Sequence, residues 1–172
     1  MSDPDLFHVE LGGIPIRTFA GAPRQSYSAL GGATLLRRSK GRAVRMQHWV
    51  KESITVSGLG WMGPGLDGLD FSQPLELRCT KPMELETTAL TGTLPSLPRP
   101  DVAPWAFAWV AGELVRTPVV VVGTAFTLTA VPAATAYRVH WLPVFTVFCQ
   151  KPERGMQAED NTHDWSFTAE EV

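Results

Sequence analysis

The segment GLGWMGPGLDGLDF, residues 58–71, concentrates residue types that bind ligands in loops: five glycines, two aspartates and two aromatic rings. A calcium loop of the EF-hand type needs a denser set of acidic ligands with a closing glutamate, and a phosphate loop needs a lysine after its last glycine. The segment has neither pattern. Its Pro64-Gly65 and Asp67-Gly68 dipeptides are typical of turns. It is therefore predicted either as a structured connection between two strands or as a projecting loop that contacts a neighbouring subunit.

No other group of residues has the spacing of an active site. The histidines, at positions 8, 48, 140 and 163, form no HxH or HExxH pattern, and the chain has no GxSxG. The carboxylate pairs, Glu84 with Glu86 and Glu170 with Glu171, do not indicate acid–base catalysis, and Glu170 and Glu171 are interpreted as solvated acids. We therefore predict no catalytic residue, no cofactor-binding residue and no metal ligand, and we expect that the protein is not an enzyme.

The cysteines and the apolar segments indicate a cytoplasmic folding environment. Cys79 and Cys149 lie in strand-like runs without a CxxC partner, so two buried thiols are favoured, and one disulfide stays an alternative. The N-terminus has no basic and apolar segments typical of a signal peptide. The longest apolar stretch, VAPWAFAWVAGELV, is interrupted by Pro104, Gly112 and Glu113, so no membrane segment is expected.

Positive charge is concentrated in LLRRSKGRAVR, residues 35–45, although the whole chain has a net charge of −2. That overall charge does not indicate a nucleic-acid-binding protein. The favoured interpretation of the run is a solvated hairpin around Lys40-Gly41. A phosphate-binding patch and a rim of cations that pairs with acids on a neighbouring subunit are the alternatives.

Alternating apolar and polar residues predict that strands dominate the chain. The pattern is clearest in SITVSG, PLELRC, TAFTLTAV and RVHWLPVFTVF. The run TPVVVVGT is β-branched on both faces and is expected to be buried between layers. Short helices are possible only in PMELETTALTGTL and VAPWAFAWVAGEL. The prediction is a mainly β fold, an antiparallel β-sandwich or barrel with long loops and at most one or two short helices.

The organisation expected is one β-rich domain over residues 1–172, with an extended hairpin at 33–50 and a long loop at 58–71. The chain is 172 residues long, a length that fits one domain. Charged residues make up 19% of the sequence, below the usual share of about a quarter. A subunit that buries much of its surface against neighbours tolerates so low a charge, which favours an oligomer.

Two regions resemble small tail proteins of long-tailed (siphovirus-like) bacteriophages and prophages, of the tail-tube or distal tail-tip type. The first is VRMQHWVKESITVSGLGWMGPGLDGLDFSQPLELRC, with its SG.GW, PGLD.LD and following strand. The second is the C-terminal region, VHWLPVFTVF and then DWSFTAEEV. Together they cover about half of the chain. The resemblance implies a β-sandwich or barrel whose sheets join across subunits.

The resemblance also implies function and partners. It implies a structural subunit that forms rings, expected to be hexameric, around the channel for DNA ejection. Its partners would be copies of itself in one ring or stacked rings, other phage tail proteins, and DNA only as a non-specific passenger. Its location would be the virion, after synthesis and assembly in the host bacterial cytoplasm. The candidate subunit contacts are Arg37, Arg38, Lys40 and Arg42 in the hairpin and Trp61, Met62, Leu66, Leu69 and Phe71 in the loop.

Two other classes of function stay open. Six tryptophans suit a β-sandwich module that binds a carbohydrate or a host receptor. A small hydrolase with dispersed catalytic residues is the third and least favoured alternative.

Overall fold

The protein, described for residues 7–172 by a computed structural model, is nearly all β, with 59% of its residues in strands and no α-helix. The only helical element of that region is a single 3-10 turn, Thr18–Ala20. The strands, in chain order, are β1 (Glu10–Leu11), β2 (Ile14–Pro15), β3 (Arg24–Arg37), β4 (Ala43–Gly60), β5 (Leu75–Arg78), β6 (Met83–Thr87), β7 (Thr91–Thr93), β8 (Trp105–Val110), β9 (Glu113–Thr117), β10 (Val119–Val122), β11 (Ala125–Leu128), β12 (Ala134–Trp141), β13 (Val144–Cys149), β14 (Glu153–Gln157) and β15 (Thr162–Glu171).

The chain forms two compact units, each made of two separate segments. The first unit comprises the described residues up to Pro15 and Glu76–Phe145, and the second comprises Ile16–Leu75 and Thr146–Val172. The predicted mainly antiparallel β fold is confirmed. The predicted boundaries of a single domain over the whole chain stay a prediction.

The first unit contains two sheets that share one apolar core. Their strand orders are β6-β12-β8-β9 and β10-β11-β7, and every pairing is antiparallel. The alternation of side chains along β8 and β12 explains the core. Four residues point to the same side of this sheet and are fully buried: Ala106, Ala108, Val139 and Trp141. The opposite sheet contributes Phe126 and Leu128 to the same cluster.

The first unit also buries an arginine. Arg99 has a side chain that is 1% exposed, and its guanidinium makes paired hydrogen bonds of 2.8 and 2.7 Å with the carboxylate of Asp101. It also donates to the carbonyl oxygens of His8 and Cys79. Each of the three guanidinium nitrogens thus has at least one hydrogen-bond acceptor, which makes burial of the charge tolerable.

The second unit is built around β15. One side of β15 pairs with β4 from His163↔Gly60 to Glu170↔Ser53, and β3 pairs with the far side of β4. The other side of β15 pairs with β14 near its start and with β13 near its end. Gly58 lies directly under the indole of Trp165, where a Cβ atom would collide with the ring, and the indole Nε1 donates to the carbonyl of Ala20 at 2.7 Å.

Three sequence-based expectations need correction. PMELETTALTGTL is not helical but forms β6 and β7, and VAPWAFAWVAGEL forms β8 and the start of β9. The run VVVV of β10 is not buried between layers, because alternate residues face solvent and Val122 is 76% exposed. It is an outer strand of its three-stranded sheet, so only one of its faces is covered.

The cysteines agree with the favoured expectation. Cys79 and Cys149 are both buried thiols. Burial raises the pKa of Cys149 to about 11, so this group stays protonated near neutral pH.

Candidate self-association surface

The longest hairpin of the chain continues beyond the rest of its sheet. β15 pairs with β4 only as far as Ser53, whereas β3 and β4 stay paired to Arg37↔Ala43. Residues 31–50, called the arm below, therefore form a ribbon of two strands. Ten residues separate Ser53 from Ala43, so the ribbon extends about 33 Å past the last β4–β15 pair. This hairpin lies where the sequence predicted one, and its strands are longer than predicted.

The arm exposes apolar side chains, because no second layer from residues 7–172 packs on this two-stranded ribbon. Leu35 is 59% exposed, and four further large apolar residues of the arm are also exposed. A hairpin with no third strand or covering helix is at best marginally stable in water. These exposed apolar residues are Leu35, Leu36, Met46, Trp49 and Val50.

The register gives the outer part of the arm two different faces. Leu36 is opposite Val44 and Thr34 is opposite Met46, so these four uncharged side chains share one face of the ribbon. Arg37 opposite Ala43 and Leu35 opposite Arg45 lie on the other face. Nearer the base, the register shifts between Gly31 and Ala33, and the indole of Trp49 lies over Gly32. Such a bulge increases the local twist of the ribbon.

Charge on the arm has one sign. It carries Arg37, Arg38, Lys40, Arg42 and Arg45 and no aspartate or glutamate. With +5 on the arm and −2 on the whole chain, the other residues together carry −7. Within residues 7–172 none of these five cations forms a salt bridge. At the turn, Lys40 and Gly41 both have positive φ, 75° and 74°, a combination typical of tight hairpin turns.

The glycine-rich loop that follows β4 is anchored at several points. The ring of Phe19 contacts that of Trp61 edge-on at 5.4 Å. Asp70 accepts hydrogen bonds from the backbone and hydroxyl of Ser72, which lower the pKa of that carboxyl. Asp67 forms ion pairs with Lys151 and Arg154. The contacts of Asp70 lie within the loop, whereas those of Trp61 and Asp67 join the loop to other parts of the second unit.

The nine predicted contact residues divide into three groups. The four cations of the hairpin are exposed, as are Trp61 and Met62. Leu69 and Phe71 are half-buried. Leu66 is only 2% exposed, so its assignment to a subunit contact needs correction: this side chain is buried within its own chain. Leu35, Leu36, Met46 and Trp49 are not among the predicted contact residues, although they lie among or next to the cations of the predicted hairpin.

Alanine substitutions distinguish the buried residue Leu66 from the exposed residue Trp61 in the loop. Leu66→Ala removes a buried side chain and is expected to lower the free energy of unfolding by about 2 kcal/mol. Trp61→Ala removes an exposed ring whose edge-on contact with Phe19 is itself exposed, and it is expected to lower the free energy of unfolding by less than about 1 kcal/mol. Urea denaturation of the two variants measures both values. Equal losses of stability would contradict this assignment of buried and exposed residues.

The structure also locates the other residues that were considered for chemistry. Among the described residues, no group of three or more His, Cys, Asp or Glu side chains has the geometry to hold a metal ion. The imidazole of His140 stacks on Trp105 at 5.5 Å, and burial lowers its pKa. No helix within residues 7–172 has the length and hydropathy of a membrane span.

The tryptophans are distributed over several environments. Trp141 and Trp165 are buried, while Trp49 and Trp61 are exposed. Trp105 and Trp109 point to the outer face of β8, where Trp105 stacks on His140 and Trp109 lies under the guanidinium of Arg138 at 5.8 Å. Each of these two rings already has one face covered, which leaves less open ring surface for a sugar.

Comparisons with protein-family models, curated proteins and solved structures find no match to this chain. The resemblance to tail proteins therefore stays a prediction.

Proposed function

We propose that this protein is a non-enzymatic structural subunit that assembles into rings, and that these rings belong to the tail tube or tail tip of a bacteriophage. The observation that carries the proposal of self-assembly is the arm, a ribbon with exposed apolar residues on both faces and five cations that form no salt bridge with any carboxylate of residues 7–172. A surface of this composition is stabilised when a partner covers it, because its apolar area then leaves water.

Open strand edges support the same proposal. β3, β9 and β10 each lie at the end of a sheet within the described residues. Strand edges of this kind are sites of association unless they are covered. A closed ring satisfies them by pairing each copy with the next, and it leaves no free end.

The proposed partners are other copies of the chain in one ring or stacked rings and other tail proteins, with DNA as a non-specific passenger in the channel. The proposed location is the virion, after assembly in the host bacterial cytoplasm. The specific tail assignment rests on the sequence resemblance, and self-association rests on the arm.

The main alternative is a module that binds a carbohydrate or host receptor. Trp105, Phe107 and Trp109 share the outer face of β8, as the aromatic strip of such a module would. The ring faces in contact with His140 and Arg138 are occupied, however, so the strip supports binding of sugars less strongly than the arm supports self-association.

Sedimentation velocity combined with negative-stain electron microscopy tests the proposed function. We expect particles of several subunits at micromolar protein concentration, seen as rings or short stacks with a central opening. A protein that sediments as a monomer of 18.8 kDa at every concentration would overturn the proposal. Retention of that monomer on a glycan array would favour the carbohydrate-binding alternative.

A further inference from the structure

A groove in the second unit has properties complementary to those of the arm. Its volume is about 570 Å³. Its lining includes Phe71, Phe148, Glu153 and Glu170, together with Phe167, which is only 4% exposed. Phe148, on the outward face of β13, is 48% exposed.

The strand pairing explains why the groove is there. β13 pairs with β15 at Cys149↔Ala169, and β14 pairs with β15 at Glu153↔Ser166. Phe167 and Thr168 of β15 therefore lie beside a connection, residues 150–152, that is not part of the sheet. The connection includes Pro152, whose nitrogen has no hydrogen to donate to a neighbouring strand.

The unpaired charge in the groove is negative. Lys151 also lines it, but its ammonium group is 3.6 Å from the carboxylate of Asp67. Within the part of the chain that the structure describes, neither Glu153 nor Glu170 forms a salt bridge. Aromatic rings flanked by two such carboxylates match a partner that offers apolar side chains next to arginines.

We propose that the arm of one copy binds in this groove of a second copy. The guanidinium groups of Arg38 and Arg42 would pair with Glu153 and Glu170. Leu36, which lies on the same face of the ribbon by strand alternation, would contact the exposed ring of Phe148. This inference rests on the proposed function, since it names the surface by which the subunits join. It supplies charge complementarity and apolar contact in one interface.

The pairing pattern indicates a second copy as the partner. The arm extends about 33 Å beyond the level of Ser53, and the groove lies on the opposite edge of β15 from β4. To reach its own groove, the arm would have to fold back across β15. Because arm and groove are different surfaces, each copy gives one contact and receives one, an arrangement that closes into a ring or continues as a filament.

Charge reversal tests the pairing. We expect the arm variant, Arg38→Glu with Arg42→Glu, and the groove variant, Glu153→Arg with Glu170→Arg, each to weaken assembly at least about tenfold. An equal mixture of the two variants should assemble to within about threefold of the wild type, because the arm of each is complementary to the groove of the other. Sedimentation velocity measures all of these.

The mixture distinguishes contact between copies from contact within one copy, since only the former is restored by mixing. The matched controls, Arg116→Glu and Glu159→Arg, reverse exposed charges outside the arm and the groove and should assemble like the wild type. Circular dichroism checks that each variant is folded.

The outcomes separate this inference from the proposed function. If the wild-type protein stays monomeric, both the proposed function and this inference are refuted. Wild-type assembly with a groove variant that assembles equally well overturns the inference alone, as expected if the arm binds nucleic acid, lipid or another surface. Two weakened variants that do not recover on mixing also overturn it.

Discussion

Replacing the arm with the dipeptide Asn-Gly is expected to give a folded protein that no longer self-associates. Leu30 and Lys51 are directly paired, so Asn-Gly between them closes the hairpin with a two-residue turn of a favoured type. The replacement removes five cations and the exposed apolar residues of the ribbon. If the arm is the main contact, we expect association to weaken at least about a hundredfold, equivalent to about 2.8 kcal/mol.

The stability of the shortened protein should change little. The removed residues lie beyond the last pair between β4 and β15, and the large apolar side chains among them are exposed. We expect the melting temperature of the monomer to stay within a few degrees, since surface residues contribute little to stability. Sedimentation velocity reports association, and thermal unfolding followed by circular dichroism reports stability.

The hairpin of β14 and β15 provides a matched control. Gln157 and Thr162 are directly paired, so residues 158–161 can be replaced with Asn-Gly in the same way. This variant shortens another hairpin of the same unit and removes two acids, and it should assemble like the wild type. Normal assembly of the variant without the arm would refute the role given to the arm. Loss of assembly in both variants would show only that the unit is sensitive to shortened hairpins.

Local sequence patterns were sufficient to predict the strands and the hairpin. Alternation in RVHWLPVFTVF corresponds to buried Val139, Trp141, Phe145 and Val147 in β12 and β13. The turn residues of SKG identified the connection between β3 and β4, because Lys40 and Gly41 occupy the left-handed region that such turns require. Both signals depend on neighbours within a few residues.

The failures arose where distant neighbours decide the structure. PMELETTALTGTL has the spacing of a short helix, but Tyr137–Trp141 of β12 pair with Met83–Thr87 and hold that segment extended. The valines of β10 suggested burial on both faces, but the strand lies at a sheet edge. Leu66 belongs to a set of apolar loop residues for which the sequence predicts a subunit contact, but the sequence alone does not tell which of them the folded chain buries.

The groove could not have been predicted from the sequence. Phe148 and Glu170 are far apart in the chain and come together through the register between β13 and β15, and Phe71 joins them from the loop after β4. Its existence depends on a gap in strand pairing beside Phe167, which no local pattern encodes. The cations of the arm, by contrast, are consecutive enough to be recognised from the sequence.

Substituting Arg99 should produce the largest loss of stability by a single residue among the changes considered. Arg99→Met keeps most of the side-chain volume but removes the partner of Asp101 and of two carbonyl oxygens, those of His8 and Cys79. Breaking a buried ion pair from one side costs about 3–5 kcal/mol. Because the Asp101 side chain is 37% exposed and stays partly hydrated, we expect a value near the lower limit, about 3 kcal/mol.

Arg78 supplies the control within the same group of charges. It lies within 4.0 Å of Glu10, Glu76 and Asp101, but its side chain is 27% exposed and water can replace its contacts. Arg78→Met should therefore cost less than about 1 kcal/mol. Urea denaturation compares the two variants, and a cost for Arg78→Met that equals or exceeds that for Arg99→Met would contradict the assignment of Arg99 as the buried anchor.

The dependence of stability on pH gives an independent test of the same ion pair. The hydrogen bonds from Arg99 lower the pKa of Asp101 below its ordinary value of 3.8 in the folded protein. A lowered carboxyl pKa stabilises the fold above pH 3.8, and this contribution is lost as the pH falls from that value through the folded pKa. In Arg99→Met the pKa of Asp101 returns most of the way to its ordinary value. The difference in unfolding free energy between wild type and variant should therefore shrink as the pH falls below 3.8. A difference that stays constant from pH 6 to pH 2 would mean that Arg99 acts through packing and not through its charge.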